Sequence, residues 1–89
     1  MPRRLTLLGK PGCHLCHEMR AVVETVLAGM DAVLVEEDVR HDAGWQRYRL
    51  EIPVLLLDGD EVARHRIGEA DLRRLLEARG VGATSRSGS

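Results

Sequence analysis

An unbroken apolar run, Val54-Leu55-Leu56-Leu57, lies between Pro53 and the dipeptide Asp58-Gly59. Four consecutive apolar residues with no polar alternation are the pattern of a short strand covered on both faces. Asp-Gly is among the strongest hairpin signals, because a two-residue turn of this kind needs positive φ at both positions. The run therefore predicts a central strand turning into an antiparallel partner, Glu61 to Ile67. Arg64, His65 and Arg66 in that partner suit a sheet edge.

The rest of the chain supplies the layers such a strand requires. Leu5-Thr6-Leu7-Leu8 reads as a first strand ending at Gly9, and Lys10-Pro11-Gly12 as a turn. Leu15, Met19, Val22, Val23, Val26 and Leu27 recur at the spacing of one helical face, so a helix is expected from near Cys13 to the stop at Gly29. Ala32 to Val35 is a second strand, and Glu36-Glu37-Asp38 reads as its solvated end. Asp42 can cap a short second helix carrying Trp45 and Tyr48 on its inner face. Gly68 breaks the pattern, and Glu69 to Arg79 forms a last helix with Leu72, Leu75 and Leu76 inward and Gly80 as its stop. A strand–helix–strand crossover makes the first two strands parallel. The expected fold is α/β, a four-stranded mixed sheet flanked by three helices in the order β-α-β-α-β-β-α. Residues 1–82 are expected to form one domain and 83–89 a flexible C-terminal tail.

With 89 residues the chain has room for one modest core. Trp45 and Tyr48 are its only aromatic residues, so that core must be built from Leu, Val, Ile and Ala. Net charge is −1, from 13 basic and 14 acidic residues mixed along the chain, which offers no basic stripe for nucleic acid. The apolar run after Arg3 and Arg4 is too short for a signal peptide or a membrane span, so a cytoplasmic location without membrane contact is expected. In that compartment a paired C-x-x-C is more often catalytic or metal-binding than structural.

Cys13-His14-Leu15-Cys16 is that pair. Two cysteines three apart at a helix start can open and close a disulfide with almost no backbone movement. Thiolate is the nucleophile, and a cysteine in the first turn lies against the positive end of the helix dipole and near free N–H groups. Such placements lower a thiol pKa from about 8.5 into the range of roughly 3.5–7.5. Cys13, the more N-terminal, is the expected nucleophile, with Cys16 one turn on to attack the mixed disulfide.

Two other readings use the same residues. Extended to His17, the string C-x-x-C-H is a haem-attachment sequence, with Met30 or His65 as a conceivable distal ligand. Haem attachment requires export, and the strand-rich pattern is unlike a small helical cytochrome. A zinc site wants four converging ligands, which the adjacent pairs Cys13/His14 and Cys16/His17 cannot supply from one turn. His41 or His65 could contribute, and an iron–sulfur cluster could be carried through Cys13 with external thiols. A module that keeps the fold and uses the pair as a redox switch without catalysis is a third possibility. No resident metal and no tightly bound cofactor are expected.

Lys10-Pro11-Gly12-Cys13-His14-Leu15-Cys16 after a first strand, with Ile52-Pro53 before the third, resembles the glutaredoxin branch of the thioredoxin superfamily over residues 4 to 79. The resemblance implies a thioredoxin fold and a thiol–disulfide oxidoreductase that reduces protein or glutathione mixed disulfides. It implies Cys13 as nucleophile, Cys16 as resolving cysteine, and Pro53 as a cis proline facing the pair. Lys10 stands where glutaredoxins place a lysine against a glutathione carboxylate. The backbone of Ile52 would pair with an extended substrate, a form of strand addition. His14 and Leu15 stand where the family usually carries Pro and Tyr. Gly68 and Glu69, with Asp71, partly match the glycine-pair and acidic motif before the last helix. Glu51 adds a negative charge near where the carboxylates of glutathione would lie, so a protein disulfide is an equally open substrate. Glutathione is thus expected as a possible co-substrate, with glutathione or a reductase as electron donor and a monomer as the working form.

Overall fold

The structure, a computed structural model, describes residues 3–83. In chain order it contains β1 (Arg3–Gly9), α1 (His14–Leu27), β2 (Ala32–Asp38), two 3-10 turns (Val39–His41 and Ala43–Tyr48), β3 (Val54–Leu57), β4 (Asp60–Arg64) and α2 (Glu69–Ala78). The four strands form one sheet in the order β2-β1-β3-β4. β1 and β2 run parallel from the pair Arg3–Ala32 to the pair Gly9–Asp38. β3 lies antiparallel to β1, with Leu8 opposite Val54, and antiparallel to β4 on its other side. The expected mixed sheet and element order are both present.

Period-two alternation divides the core between the two faces of this sheet. Leu5 and Leu7 of β1 and Leu55 and Leu57 of β3 pack against Met19, Val23 and Val26 of α1 and Leu72 and Leu76 of α2. Leu8, Val54 and Leu56 point the other way, onto Val39 and Tyr48 of the 3-10 segment, with Trp45 and Ile52 at the margin. Every residue of β3 is buried, which explains why its sequence shows no alternation. The two apolar layers leave no buried charged or polar residue among the described residues.

Three elements differ from the sequence expectation. The second helix is two 3-10 turns: the Asp42 side chain accepts the Gly44 N–H at 2.7 Å and caps only a six-residue stretch. Gly44 contributes little helix propensity, and the chain must become extended before Pro53. The strand expected over Glu61 to Ile67 ends at Arg64, because His65 takes φ 65 and turns away. Glu36, Glu37 and Asp38, expected as the solvated end that follows Val35, continue the β2 ladder in register with Leu7, Leu8 and Gly9. At the far end of the chain, Ala83 bridges Met30, and Asp31 N–H donates to the Gly82 carbonyl at 2.8 Å. The remainder of the expected tail, residues 84–89, lies outside the described residues.

The hairpin turn is anchored by its own aspartate. Asp58 and Gly59 take φ 49 and 94, as a two-residue hairpin demands. The Asp58 carboxylate accepts the Arg4 N–H at 3.0 Å and pairs with the Arg3 side chain. Those two bonds, the backbone one first, hold the Asp58 carboxyl below the usual carboxylate range. Asp38 is held lower still, chiefly by the Arg40 side chain and then by the Arg40 N–H. A carboxylate with a depressed folded pKa stabilises the fold above its unfolded value of roughly 4, and that contribution is lost as pH falls through the depressed value. We expect the thermal midpoint to fall as pH drops below about 4, and Asp58→Asn to flatten that part of the profile. An identical acid limb in Asp58→Asn would remove Asp58 from the account.

Candidate functional site

β1 delivers the chain to one end of the sheet, where Lys10-Pro11-Gly12 turns it into α1. Gly12 takes φ 80, a left-handed conformation that glycine adopts at no steric cost. The turn closes with the Cys13 N–H donating to the Lys10 carbonyl at 3.2 Å. Cys13 then serves as the N-cap of α1: its backbone is extended, and its Sγ accepts the Cys16 N–H at 3.2 Å. The helix itself begins at His14, so Cys13 lies at the cap rather than inside the first turn. Its sulfur thereby takes up one of the free N–H groups of the helix start. Cys13 and Cys16 are joined as a disulfide with their Cα atoms 5.2 Å apart. Both residues are half-buried.

The close packing of Cys16 depends on a residue that carries no side chain. A Cβ placed on Gly9 would lie 2.8 Å from Cys16 Sγ and 3.2 Å from Cys16 Cβ. The sequence shows Gly9 only as a strand end; the reason for glycine there is spatial. On this side of the pair a cleft of about 360 Å³ is lined by Gly9, Lys10, Cys16, His17 and the acidic residues Glu36 to Asp38. The acidic wall is largely compensated: Glu36 pairs with Arg20 at 3.6 Å and Asp38 with the Arg40 guanidinium at 2.6 Å.

Pro53 follows a cis peptide bond, as the family resemblance implied, and is buried. The β1–β3 ladder ends at Leu8 and Val54, the residues that directly precede Gly9 and follow Pro53 in the chain. Neither the N–H nor the C=O of Ile52 has a hydrogen-bond partner among the described residues. His14 is exposed and lies 3.1 Å from Glu18, which also reaches Arg66 at 3.7 Å. Leu15 is half-buried and His17 exposed. Gly68 caps α2 without a side-chain bond and lines a second groove with Glu18, Met19, Val22, His65 to Ile67 and Asp71. Glu69 opens α2, exposed. Lys10 and Gly68 therefore border different recesses. No three His, Cys, Asp or Glu side chains among the described residues are grouped to hold a metal ion. No described helix is long and apolar enough to cross a membrane.

Comparison with solved structures gives the same fold. A protein from X. campestris superposes with a TM-score of 0.68 at 29% identity, over 83% of this chain and 96% of the other. A mutant thioredoxin from Halobacterium salinarum NRC-1 superposes with a TM-score of 0.63 at 29% identity, over 85% of this chain and 73% of the other. A Nitrosomonas europaea protein, 24% identical with a TM-score of 0.68 over 81% of this chain and 88% of the other, agrees in fold. The family model described as a glutaredoxin-like domain (DUF836) matches residues 4–77, which contain both cysteines, Pro53 and, apart from Arg3 at the start of β1, the four strands. The chain belongs to this glutaredoxin-like family and, with its thioredoxin-like fold, to the thioredoxin superfamily.

Proposed function

We propose that the protein is a thiol–disulfide oxidoreductase in which Cys13 is the nucleophile and Cys16 the resolving cysteine. The observation that carries this reading is the joined pair at the start of α1, with Cys13 as the cap. In the reduced protein the Cys13 thiolate attacks one sulfur of a substrate disulfide. A mixed disulfide forms and the other substrate sulfur leaves as thiolate. The Cys16 thiolate then attacks Cys13 Sγ, closing the Cys13–Cys16 disulfide and releasing the second substrate thiolate. Two electrons pass to the substrate, and an external thiol or a reductase returns the pair to the dithiol.

The substrate is a protein disulfide or a glutathione mixed disulfide, taken by the working monomer. Its chain would pair with the open N–H and C=O of Ile52, beside Pro53. Lys10 would meet a substrate carboxylate from the turn before Cys13, and His14 and Leu15 would border the attacked sulfur. Gly68 and Glu69 would receive the far end of a glutathione moiety at the start of α2. No resident cofactor takes part, and glutathione enters only as co-substrate. The reading is tested by equilibrating the protein in glutathione buffers of graded ratio, alkylating free thiols and counting the labels by mass. Supplying a glutathione-reductase or a thioredoxin-reductase couple separately then identifies the donor.

A further inference from the structure

His65 is a non-glycine residue at φ 65, in the left-handed region that side chains disfavour. A conformation of this kind persists only where its surroundings hold it, and such residues gather at functional sites. Two contacts hold His65, and both reach the same short segment. Its backbone N–H donates to the Pro53 carbonyl at 2.7 Å. Its ring Nε2 lies 3.0 Å from Glu51 Oε1. Arg64 approaches that oxygen at 3.3 Å while also forking onto Glu61.

Residue 65 thus grips the chain on either side of Ile52, through a side chain at 51 and a backbone carbonyl at 53. Ile52 between them is left with an unbonded N–H and C=O. A segment pinned at both ends with its middle peptide unit open is pre-organised to receive another backbone, since the ordering cost is met before the partner arrives. Nothing about the thiols themselves requires this clasp.

We propose that His65 is a positioning residue, and that with Glu51 it fixes the Ile52 backbone for substrates presenting an extended peptide beside their disulfide. This deepens the dithiol reading above and rests on it. Small disulfides without a peptide chain react at Cys13 directly and do not use the clasp. The substrate class the clasp favours is therefore a peptidyl disulfide over a small non-peptide one.

The test compares second-order rate constants for oxidation of the reduced pair by two reagents, a disulfide-linked peptide and 2-hydroxyethyl disulfide. Their ratio cancels any change in thiolate fraction. His65→Gly relieves the left-handed backbone while deleting the ring, so it is expected to keep or raise the thermal midpoint. It should lower the peptide rate about tenfold, the scale of one charge-assisted hydrogen bond, and leave the hydroxyethyl disulfide rate within about twofold. Glu51→Gln keeps an acceptor for the ring and should retain most of the peptide rate, whereas Glu51→Ala should match His65→Gly. An unchanged rate ratio in His65→Gly and Glu51→Ala overturns the proposal while leaving the dithiol reading intact. If neither reagent oxidises the wild-type pair, the dithiol reading itself fails.

Discussion

Replacing Cys13 with serine is expected to abolish disulfide reduction, because no other residue at the α1 cap can form the first covalent intermediate. Replacing Cys16 with serine is expected to leave the first step intact and remove the second. The variant should then accumulate a mixed disulfide at Cys13, visible as a mass increase equal to one substrate thiol. A monothiol of this kind can still be cleared by excess glutathione, so turnover of glutathione mixed disulfides should survive where turnover of protein disulfides is lost. The asymmetry follows from the cap. Cys13 accepts a hydrogen bond from the Cys16 N–H, while Cys16 is the third residue of the helix, packed close to Gly9. Equal trapping in both single variants would show that the two sulfurs are interchangeable and would contradict that assignment.

Gly9→Ala should destabilise the fold at the dithiol itself. The added methyl would lie 2.8 Å from Cys16 Sγ, well inside the roughly 3.5 Å at which non-bonded heavy atoms are comfortable. Gly9 is buried and paired with Asp38 of β2, so the strand has little room to retreat. Overpacking of this kind costs about 1–3 kcal/mol, and in a domain this small each kcal/mol lowers the midpoint by roughly 4–8 °C. The loss should be greater in the oxidised protein, where the bond to Cys13 fixes the Cys16 sulfur, than in the dithiol, where its χ1 can turn. The variant pair should accordingly be reduced more easily than the wild type. Thermal midpoints of both redox forms, with equal losses in the two, would refute the close-approach explanation.

Much of the fold is legible in the sequence. The 3.6-residue recurrence from Leu15 to Leu27 marked α1, and the uninterrupted apolar run at Val54 to Leu57 marked the strand buried on both faces. Asp58-Gly59 fixed the hairpin. Propensity reasoning failed where a tertiary contact decided the outcome. The polarity of Glu36 to Asp38 hides the full length of β2, because β1 pairs with them residue by residue. The end of β4 was overestimated because nothing local announces that a histidine will turn left-handed against the Pro53 carbonyl.

The candidate site divides in the same way. Cys13 and Cys16 are legible because the spacing itself carries the chemistry, and Pro53 became legible through family resemblance. Gly9 is silent in the sequence, since only the approach of Cys16 gives its missing side chain a purpose. Glu51 was visible as an isolated charge before Ile52. Its pairing with Arg64 and His65 spans a turn and a strand, and no local pattern links residues 14 positions apart.

The central claim is that Cys13 and Cys16 form a reversible redox couple within reach of biological thiols. Equilibration in glutathione buffers, followed by alkylation and intact-mass counting, tests it most directly. A reversible couple gives one two-electron transition, from two labels per chain in reducing buffer to none in oxidising buffer, with no singly labelled species dominating. Two labels at every ratio, or a bond that glutathione never opens, would contradict it.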